Sequence, residues 1–259
     1  MDFYQPEGSY RFSSDALSLA RYACNFIVEE LQRKKPQKKP FEPYLIMDIG
    51  CGCGVIGILV LQFFKELYPE FYPYLKIIGI EKEEELCQAA KYNARIFEHE
   101  QNYFALQADI SQKESVGLVQ KFALETALLE KLPFLQKQDG GVAKNPRIFD
   151  LVVTNPPWYR AESKLHSVFA LRNNALFGDE NVLNMFFAFG EKFLKKYASL
   201  MTVAKTACYM DFMQAMPEKI QPVAMQPVYK SLQNKAVFFV LQGKFQSKAV
   251  FEILAPTCL

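Results

Sequence analysis

The sequence predicts an α/β fold: seven strands in one mostly parallel sheet, helices on both faces, and an antiparallel hairpin at the carboxyl end. Three observations favour this fold. Short apolar runs alternate with amphipathic segments of about 10 to 15 residues, a glycine-rich turn follows the first apolar run, and a short link at 230–234 joins the last two runs. The chain has 259 residues, 50% of them hydrophobic, which is ample material for one core.

The first half of the chain shows the alternation most clearly. A Ser-Ser-Asp cluster precedes apolar residues that recur every three or four positions, which predicts a capped amphipathic helix at 14–33. A basic linker with prolines, at 33–40, ends this helix. We then expect strands at 45–49, 75–80 and 103–108, and helices at 55–67 and 83–96.

The alternation breaks at 111–147, which we interpret as an insertion with a helix near 116–132. Beyond it we expect a strand at 148–154, a helix at 181–197, a strand at 199–204, a short helix at 209–216, and strands at 223–229 and 235–241. The chain thus divides into an entry segment with one helix, 1–44, and a single domain, 45–259.

Composition excludes several classes of protein. The 30 Lys and Arg nearly balance the 28 Asp and Glu, so the net charge by itself says little about the partner and leaves a local basic patch open. The six cysteines follow no regular spacing and are interpreted as the reduced thiols of a cytoplasmic protein. We expect no export signal and no membrane span, since the longest apolar stretch, 55–64, is far shorter than the ~20 residues that a span needs. Two histidines and no Cys-x2-Cys pair predict no metal site.

The run LIMDIGCGCGVIG at 45–57 is a buried strand, an acid, three alternating glycines and the start of a helix. Gly50, Gly52 and Gly54 would let the backbone turn tightly, so that a flat or charged ligand can lie against the start of the helix. Two alternatives remain open: a connection without a ligand, and a dinucleotide site, because Gly52, Gly54 and Gly57 also satisfy G-x-G-x-x-G.

Three acids end successive strands and therefore lie along one edge of a doubly wound sheet. Asp48, directly before the glycines, could accept a hydrogen bond from an ammonium group but would repel a pyrophosphate. Glu81 could bind both hydroxyls of a ribose, although an acid at a helix start is also common. Asp109 could accept from an adenine amino group.

These residues resemble the cofactor motifs of the Rossmann-like S-adenosylmethionine-dependent methyltransferases. D-x-G-x-G-x-G at 48–54 and the acids at 81 and 109 match in order and approximate spacing, and the resemblance covers about residues 10–245 apart from 111–147. It implies S-adenosylmethionine as the cofactor and a sheet that ends in an antiparallel hairpin.

The fourth strand of the alternation ends in Asn155, Pro156, Pro157 and Trp158. Two prolines stop the strand and fix the directions of the neighbouring carbonyl groups. The oxygen of the Asn155 side-chain amide and a neighbouring carbonyl oxygen would together accept both hydrogen bonds of one NH2 group. These two hydrogen bonds favour the pyramidal nitrogen of a methyl-transfer transition state. Trp158 could stack on a flipped-out base, although ordinary core packing is the alternative.

This motif resembles that of the amino-methyltransferases with Asn-Pro-Pro-[Tyr/Phe/Trp], which implies an amino-group clamp at Asn155 and Pro156. The segment GSYRFSSDALSLA at 8–20 resembles the entry segment of bacterial tRNA adenine-N6 methyltransferases that act on valine tRNA. The resemblance implies cofactor contacts by Arg11, Phe12 and Asp15, with a plain helix cap as the alternative for Asp15.

Other functions stay open at this point. The alternative acceptor is a glutamine side-chain amide of release factors, whose nitrogen lone pair is delocalised as it is in a nucleobase amino group. The methyltransferases that act on this glutamine resemble a longer architecture, with a substantial helical domain before the glycine turn, whereas segment 1–44 has room for one helix. Guanine N2 of ribosomal RNA is a further alternative, and a non-catalytic cofactor-binding or RNA-binding scaffold is an alternative of another class. RNA, most plausibly tRNA, is the expected partner, with basic runs at 33–39 and 192–196 as a hypothetical phosphate track.

Overall fold

The computed structural model describes residues 2–9, 11–34, 43–125, 147–157 and 180–259. Six helices and nine strands form in these ranges, together with two short 3₁₀ turns. The helices are α1 (Ser14–Lys34), α2 (Val55–Leu67), α3 (Glu84–Ile96), α4 (Glu114–Glu125), α5 (Glu180–Glu191) and α6 (Tyr209–Ala215). The strands are β1 (Tyr44–Ile49), β2 (Leu75–Glu81), β3 (Tyr103–Gln107), β4 (Phe149–Thr154), β5 (Leu194–Lys205), β6 (Ile220–Tyr229), β7 (Phe238–Phe245), β8 (Glu252–Ile253) and β9 (Thr257–Cys258).

All the described strands belong to one sheet with the order β3-β2-β1-β4-β5-β7-β6-β8, and β9 also pairs with β6. Strands β1 to β5 run parallel, and β7 is antiparallel to both β5 and β6. The predicted fold class, a mostly parallel sheet that ends in an antiparallel hairpin, is confirmed. The carboxyl ends of β1 to β4 therefore meet at one edge of the sheet.

Two hydrophobic clusters cover the two faces of the sheet. On one face α1, α2 and α3 pack against the sheet, with Ile27, Phe64 and Ala90 fully or almost fully buried. On the other face α4, α5 and α6 contribute residues such as Val119 and Phe187. Every residue of β1 is buried, as expected for a central parallel strand that is covered on both faces.

The strand count differs from the prediction of seven, because β8 and β9 add two strands of two residues each, both parallel to β6. Such short pairings have too few residues to produce an alternating pattern in the sequence. They result from the tertiary contacts of the last residues with the outer side of β6.

The boundary between α5 and β5 also differs from the prediction. The helix ends at Glu191 rather than at 197, and β5 begins at Leu194 rather than at 199. The carbonyl oxygen of Phe193 accepts hydrogen bonds from the backbone N–H groups of Ile148 (2.9 Å) and Phe149 (3.1 Å). Pairing with β4 therefore ends the helix, although the apolar residues in this stretch are spaced as in a helix.

The segment 111–147 begins with α4, which buries Val119 and Ala123 in the second hydrophobic cluster. Its described part is thus a crossover helix between β3 and β4 that helps to cover the sheet. Residues 126–146, with the end of the predicted helix, lie outside the described residues.

Candidate active site at the carboxyl edge of the sheet

The sheet brings the ends of four strands together in the order β3, β2, β1, β4. Ile49 pairs with Ile80 on one side and with Thr154 on the other. The Thr154 hydroxyl donates to the carbonyl oxygen of Ile49 at 2.9 Å and ties the end of β4 to the end of β1. Asn155, which follows Thr154, therefore lies beside the glycine turn that follows Ile49.

The glycine turn adopts the backbone conformation that favours glycine. Gly50, Gly52 and Gly54 have φ angles of 68°, 54° and 84°, in the left-handed region that other residues rarely adopt. The N–H groups of Gly50 and Cys51 both donate to the carbonyl oxygen of Ile80, at 2.8 and 3.1 Å, which holds the turn against the end of β2.

The space above the turn differs between the glycines. A Cβ atom on Gly50 would lie 2.8 Å from the Phe186 ring, and one on Gly54 would lie 3.0 Å from the Tyr103 hydroxyl. A Cβ atom on Gly52 would meet no atom of the described residues within 4 Å. As far as the described residues go, the turn is thus open at Gly52, where a flat ligand can approach the backbone.

The Asp48 carboxylate is buried and lacks hydrogen-bond donors at normal geometry among the described residues. Its side chain is completely buried, and neither oxygen makes a hydrogen bond of normal geometry with the described residues. Burial raises the pKa of Asp48 to about 7; the backbone amide of Gly57 lowers this pKa, and the charge of Glu81 raises it further. A cation beside Asp48 would stabilise its charged form, so this carboxylate fits the binding of an ammonium group.

Glu81 is the last residue of β2 and connects the strand end to the turn. Its Oε2 accepts from the Gly52 N–H (3.0 Å), and its Oε1 accepts from the N–H groups of Lys82 (2.9 Å) and Glu83 (3.0 Å). Burial raises its pKa, and these three hydrogen bonds act in the opposite direction. Each carboxylate oxygen has two lone pairs, so both lone pairs of Oε1 are engaged and Oε2 retains one that can accept from a hydroxyl group.

Asp109 lies two residues beyond the end of β3, in the loop that leads to α4. The Ala108 N–H donates to the carbonyl oxygen of Glu81 at 2.9 Å and holds this loop beside the end of β2. Asp109 Oδ1 accepts from the Ser111 N–H at 2.9 Å. Burial raises the pKa of Asp109, but the hydrogen bonds from Ser111, the charge of Lys82 and a hydrogen bond from Gln112 together leave this pKa below its usual value. The carboxylate is thus ionised and oriented at the same sheet edge.

The Asn-Pro-Pro motif follows β4 directly. Asn155 is half-buried, Pro156 is buried and Pro157 is half-buried. The predicted stacking residue, Trp158, lies outside the described residues.

The entry segment contributes a residue to the acceptor side of the site. Asp15, in the first turn of α1, is completely buried, and its Oδ2 accepts from Asn155 Nδ2 at 2.7 Å. Its Oδ1 accepts from the Ser13 hydroxyl. Asp15 was expected to contact the cofactor or to cap its helix, and the structure places it against Asn155.

The other two predicted residues of the entry segment have different surroundings. Arg11 is exposed. Phe12 packs edge-on against Phe3, with ring centroids 5.5 Å apart, and its N–H donates to Gln5 Oε1 at 3.0 Å. Their cofactor contacts stay a prediction.

Asn93 of α3 is a site residue that the sequence analysis missed. It is completely buried, and its Nδ2 donates to the carbonyl oxygen of Cys53 in the glycine turn at 2.9 Å. It also binds the backbone of Tyr4 in both directions. The available signal was a polar residue at a core position of an amphipathic helix, in line with Leu86 and Ala90.

The lysines at 192, 195 and 196 lie far from these residues. They flank the start of β5, whose Leu194 pairs with Phe149 at the amino end of β4, whereas Asn155 follows the carboxyl end. Lys195 Nζ forms an ion pair with Asp150 Oδ2 at 2.8 Å. Any phosphate contact by these lysines would therefore be remote from the acceptor motif.

Solved structures that resemble this chain in fold include methyltransferases. A predicted O-methyltransferase from Agrobacterium tumefaciens has a TM-score of 0.56 and 13% sequence identity, over 83% of this chain and 80% of that chain. A protein from Listeria monocytogenes assigned to the class I S-adenosylmethionine-dependent methyltransferases has a TM-score of 0.52 and 16% identity, over 90% and 63%. The DszA carbon methyltransferase has a TM-score of 0.51 and 10% identity, over 93% and 57%. No family model matches the chain, and no curated protein matches its sequence.

The chain therefore has the fold of the class I S-adenosylmethionine-dependent methyltransferases. It spans less than two thirds of the length of the Listeria monocytogenes protein and of the DszA carbon methyltransferase. The described residues fit this cofactor on two counts: the unpaired buried carboxylate of Asp48 suits its ammonium group, and the open side of the turn at Gly52 leaves room beside the backbone.

Two absences hold for the part of the chain that the structure describes. It contains no group of three or more His, Cys, Asp and Glu side chains that could hold a metal ion. None of its helices combines the length and the apolar character needed to cross a bilayer.

Proposed function

We propose that this chain is an S-adenosylmethionine-dependent N-methyltransferase that acts on an exocyclic amino group, and that its substrate is adenine N6 in tRNA. The observation that carries the proposal is the position and orientation of Asn155. Its amide follows β4, beside the glycine turn, and Nδ2 is engaged by Asp15. Oδ1 is consequently the atom of this amide that can accept a hydrogen bond from a substrate NH2 group.

On the cofactor side we assign roles by chemistry. Asp48 accepts from the ammonium group, Glu81 from the ribose hydroxyls and Asp109 from the adenine amino group, and Gly50, Gly52 and Gly54 allow the close approach of the cofactor. When bound, the cofactor supplies a methyl group activated by its sulfonium. The residues of the chain hold this methyl group towards Asn155, along the edge that connects β1 to β4.

On the acceptor side Asn155 and the carbonyl group fixed by Pro156 accept the two hydrogen bonds of the NH2 group, while Trp158 stacks on the base. This localises the nitrogen lone pair, which is delocalised in a planar aromatic amine. With the cofactor bound, the nitrogen–carbon bond would form as the carbon–sulfur bond breaks, and the positively charged product nitrogen would release one proton to water. No strong general base is required, so positioning supplies the main contribution.

The choice of adenine in tRNA rests on the entry segment, 8–20, whose sequence resembles that of tRNA adenine-N6 methyltransferases. Its end carries Asp15, which contacts the Asn155 amide directly, and this supports a functional connection between the entry segment and the acceptor motif. Release-factor glutamine and guanine N2 of ribosomal RNA would use the same clamp and are outcomes of the test.

The test is transfer of labelled methyl from S-adenosylmethionine to tRNA transcripts, which carry no earlier modification, with ribosomal RNA and release factor in parallel. We expect label in tRNA, recovered as N6-methyladenosine, and a turnover that falls by about two to three orders of magnitude in Asn155→Ala while the affinity for the cofactor is retained. Label in release factor or as N2-methylguanosine would overturn the substrate. Cofactor binding without transfer to any acceptor would overturn the catalytic function.

A further inference from the structure

Asp15 and Asn155 are 140 positions apart in the chain, yet their side chains are joined by a hydrogen bond. The Asp15 carboxylate is completely buried, and its two oxygens have different partners: Asn155 Nδ2 at 2.7 Å and the Ser13 hydroxyl. The carboxylate also lies in the first turn of α1, where a negative charge interacts favourably with the helix dipole.

We propose that Asp15 is a positioning residue that selects the orientation of the Asn155 amide. An asparagine amide has a donor end and an acceptor end, and rotation by 180° exchanges them. Asp15 Oδ2 accepts from Nδ2, whereas in the rotated amide it would face Oδ1, and two acceptor oxygens repel each other. The inference rests on the proposed function, because the selected orientation is the one in which Oδ1 accepts from a substrate amino group.

The consequence for catalysis follows from the two orientations. In the rotated amide, Nδ2 would face a substrate NH2 group, and two donors would oppose each other. Without Asp15 the amide loses a group that favours the productive orientation, so a smaller fraction of molecules is competent for transfer. Hydrogen bonds to charged groups are stronger than neutral ones, and we expect the turnover to fall by about 10- to 100-fold.

Two substitutions separate this role from a purely structural one. In Asp15→Leu the side chain keeps a similar size but loses both acceptors. In Asp15→Asn the side-chain oxygen can still accept from Asn155 Nδ2, while the new amide can donate to the Ser13 hydroxyl oxygen. We expect the leucine variant to lose about 10- to 100-fold in kcat and the asparagine variant to remain within about fivefold of the wild type. In both variants the affinity for S-adenosylhomocysteine should be unchanged.

Combination with Asn155→Ala tests whether Asp15 acts through Asn155. In that background Asp15→Leu should cause no additional loss of kcat, since the amide that it orients is absent. If the two losses multiply, or if Asp15→Leu weakens S-adenosylhomocysteine binding, Asp15 acts independently and the inference is overturned. Equal losses in Asp15→Leu and Asp15→Asn would overturn it as well.

A second readout does not need enzymatic activity and thereby separates this inference from the proposed function. In NMR spectra of the ¹⁵N-labelled chain, the side-chain NH2 signal of Asn155 can be assigned by its disappearance in Asn155→Ala. We expect one of its protons to be protected from exchange with water in the wild type and in Asp15→Asn, and to lose this protection in Asp15→Leu. An unprotected signal in the wild type would overturn the inference even if methyl transfer is observed. A wild type that binds cofactor but methylates no acceptor would overturn the proposed function alone.

Discussion

Asn93 and Tyr4 exchange two hydrogen bonds: the Tyr4 N–H donates to Asn93 Oδ1 at 2.8 Å, and Asn93 Nδ2 donates to the Tyr4 carbonyl oxygen at 2.9 Å. The same Nδ2 donates to the carbonyl oxygen of Cys53 at 2.9 Å. One buried side chain thus fastens the start of the chain to the glycine turn. The chain continues from Tyr4 to Asp15, which binds Asn155, so the entry segment is connected both to the glycine turn, through Asn93, and to the residue that follows β4.

The first prediction concerns this attachment. Asn93→Ala removes three hydrogen bonds to backbone groups and should lower the free energy of unfolding by about 2 to 4 kcal/mol, because buried polar groups lose their partner. It should also weaken binding of S-adenosylhomocysteine, since the glycine turn loses its attachment to α3. Denaturant unfolding and calorimetric titration measure the two effects.

Asn102 provides a matched control for this variant. It is also buried, and its Nδ2 donates to two backbone carbonyl oxygens, those of Tyr72 (3.0 Å) and Leu75 (2.7 Å), at the opposite edge of the sheet. Asn102→Ala should lower stability to a similar degree and leave the cofactor affinity unchanged. A comparable loss of affinity in both variants would show that Asn93 has no particular connection with the site.

The second prediction concerns the open side of the turn. In Gly52→Ala the methyl group meets no atom of the described residues, but φ is 54°, so the left-handed conformation costs about 1 to 2 kcal/mol. The same methyl group occupies the space beside the backbone and should reduce the affinity for S-adenosylhomocysteine by at least about tenfold.

Gly117→Ala is the control for that experiment. A Cβ atom there also meets no described atom, but Gly117 is exposed near the start of α4, where alanine is favoured over glycine by up to about 1 kcal/mol. This variant should be slightly more stable than the wild type and should bind the cofactor normally. If Gly52→Ala binds the cofactor as well as Gly117→Ala does, the ligand does not lie at Gly52.

The third prediction concerns the pH dependence of cofactor binding. Burial raises the pKa of Asp48 to about 7, and only the ionised carboxylate attracts an ammonium group. Binding therefore releases a proton near neutral pH, and the affinity for S-adenosylhomocysteine should be about five- to tenfold weaker at pH 6 than at pH 7.5. Asp48→Asn should bind more weakly at pH 7.5 and should lose most of this pH dependence. An equal slope in the variant and the wild type would remove Asp48 from the ammonium site.

Local patterns in the sequence predicted the strands, the glycine turn and the acids at the carboxyl ends of β1 and β2, because each of these features depends on residues that are neighbours in the sequence. The contact between Asp15 and Asn155 was not predictable in this way, since no periodicity connects residues 140 positions apart. The end of α5 was mispredicted for a related reason: Phe193 pairs with residues of β4 that are distant in the sequence. Asn93 lay within reach of sequence reasoning as a polar residue at a buried helix position, but its partners depend on how the entry segment folds over the turn.

The fourth prediction concerns His99, which is completely buried far from the site. Its Nδ1 contacts the Tyr72 hydroxyl at 2.8 Å and its Nε2 contacts Gln62 Oε1 at 3.1 Å. These contacts suit a neutral ring that donates from Nε2 and accepts at Nδ1. Burial, followed by the charge of Lys65, lowers the pKa of His99 to about 4.

In the unfolded chain His99 has a pKa near 6.5. Between about pH 4 and 6.5 the folded chain therefore binds fewer protons at His99 than the unfolded chain does. The contribution of His99 to stability is complete above about pH 6.5 and is lost as the pH falls through about 4. Asp48 acts in the opposite sense, because its folded pKa is raised, and its contribution declines as the pH rises towards about 7. The test is the difference in the free energy of unfolding between the wild type and His99→Gln, measured in urea at pH 7, 5.5 and 4.5. Both proteins contain Asp48, so its contribution cancels in this difference. Relative to the glutamine variant, the wild type should become progressively less stable as the pH falls, and a difference that stays constant with pH would show that His99 is protonated equally in the folded and unfolded chains.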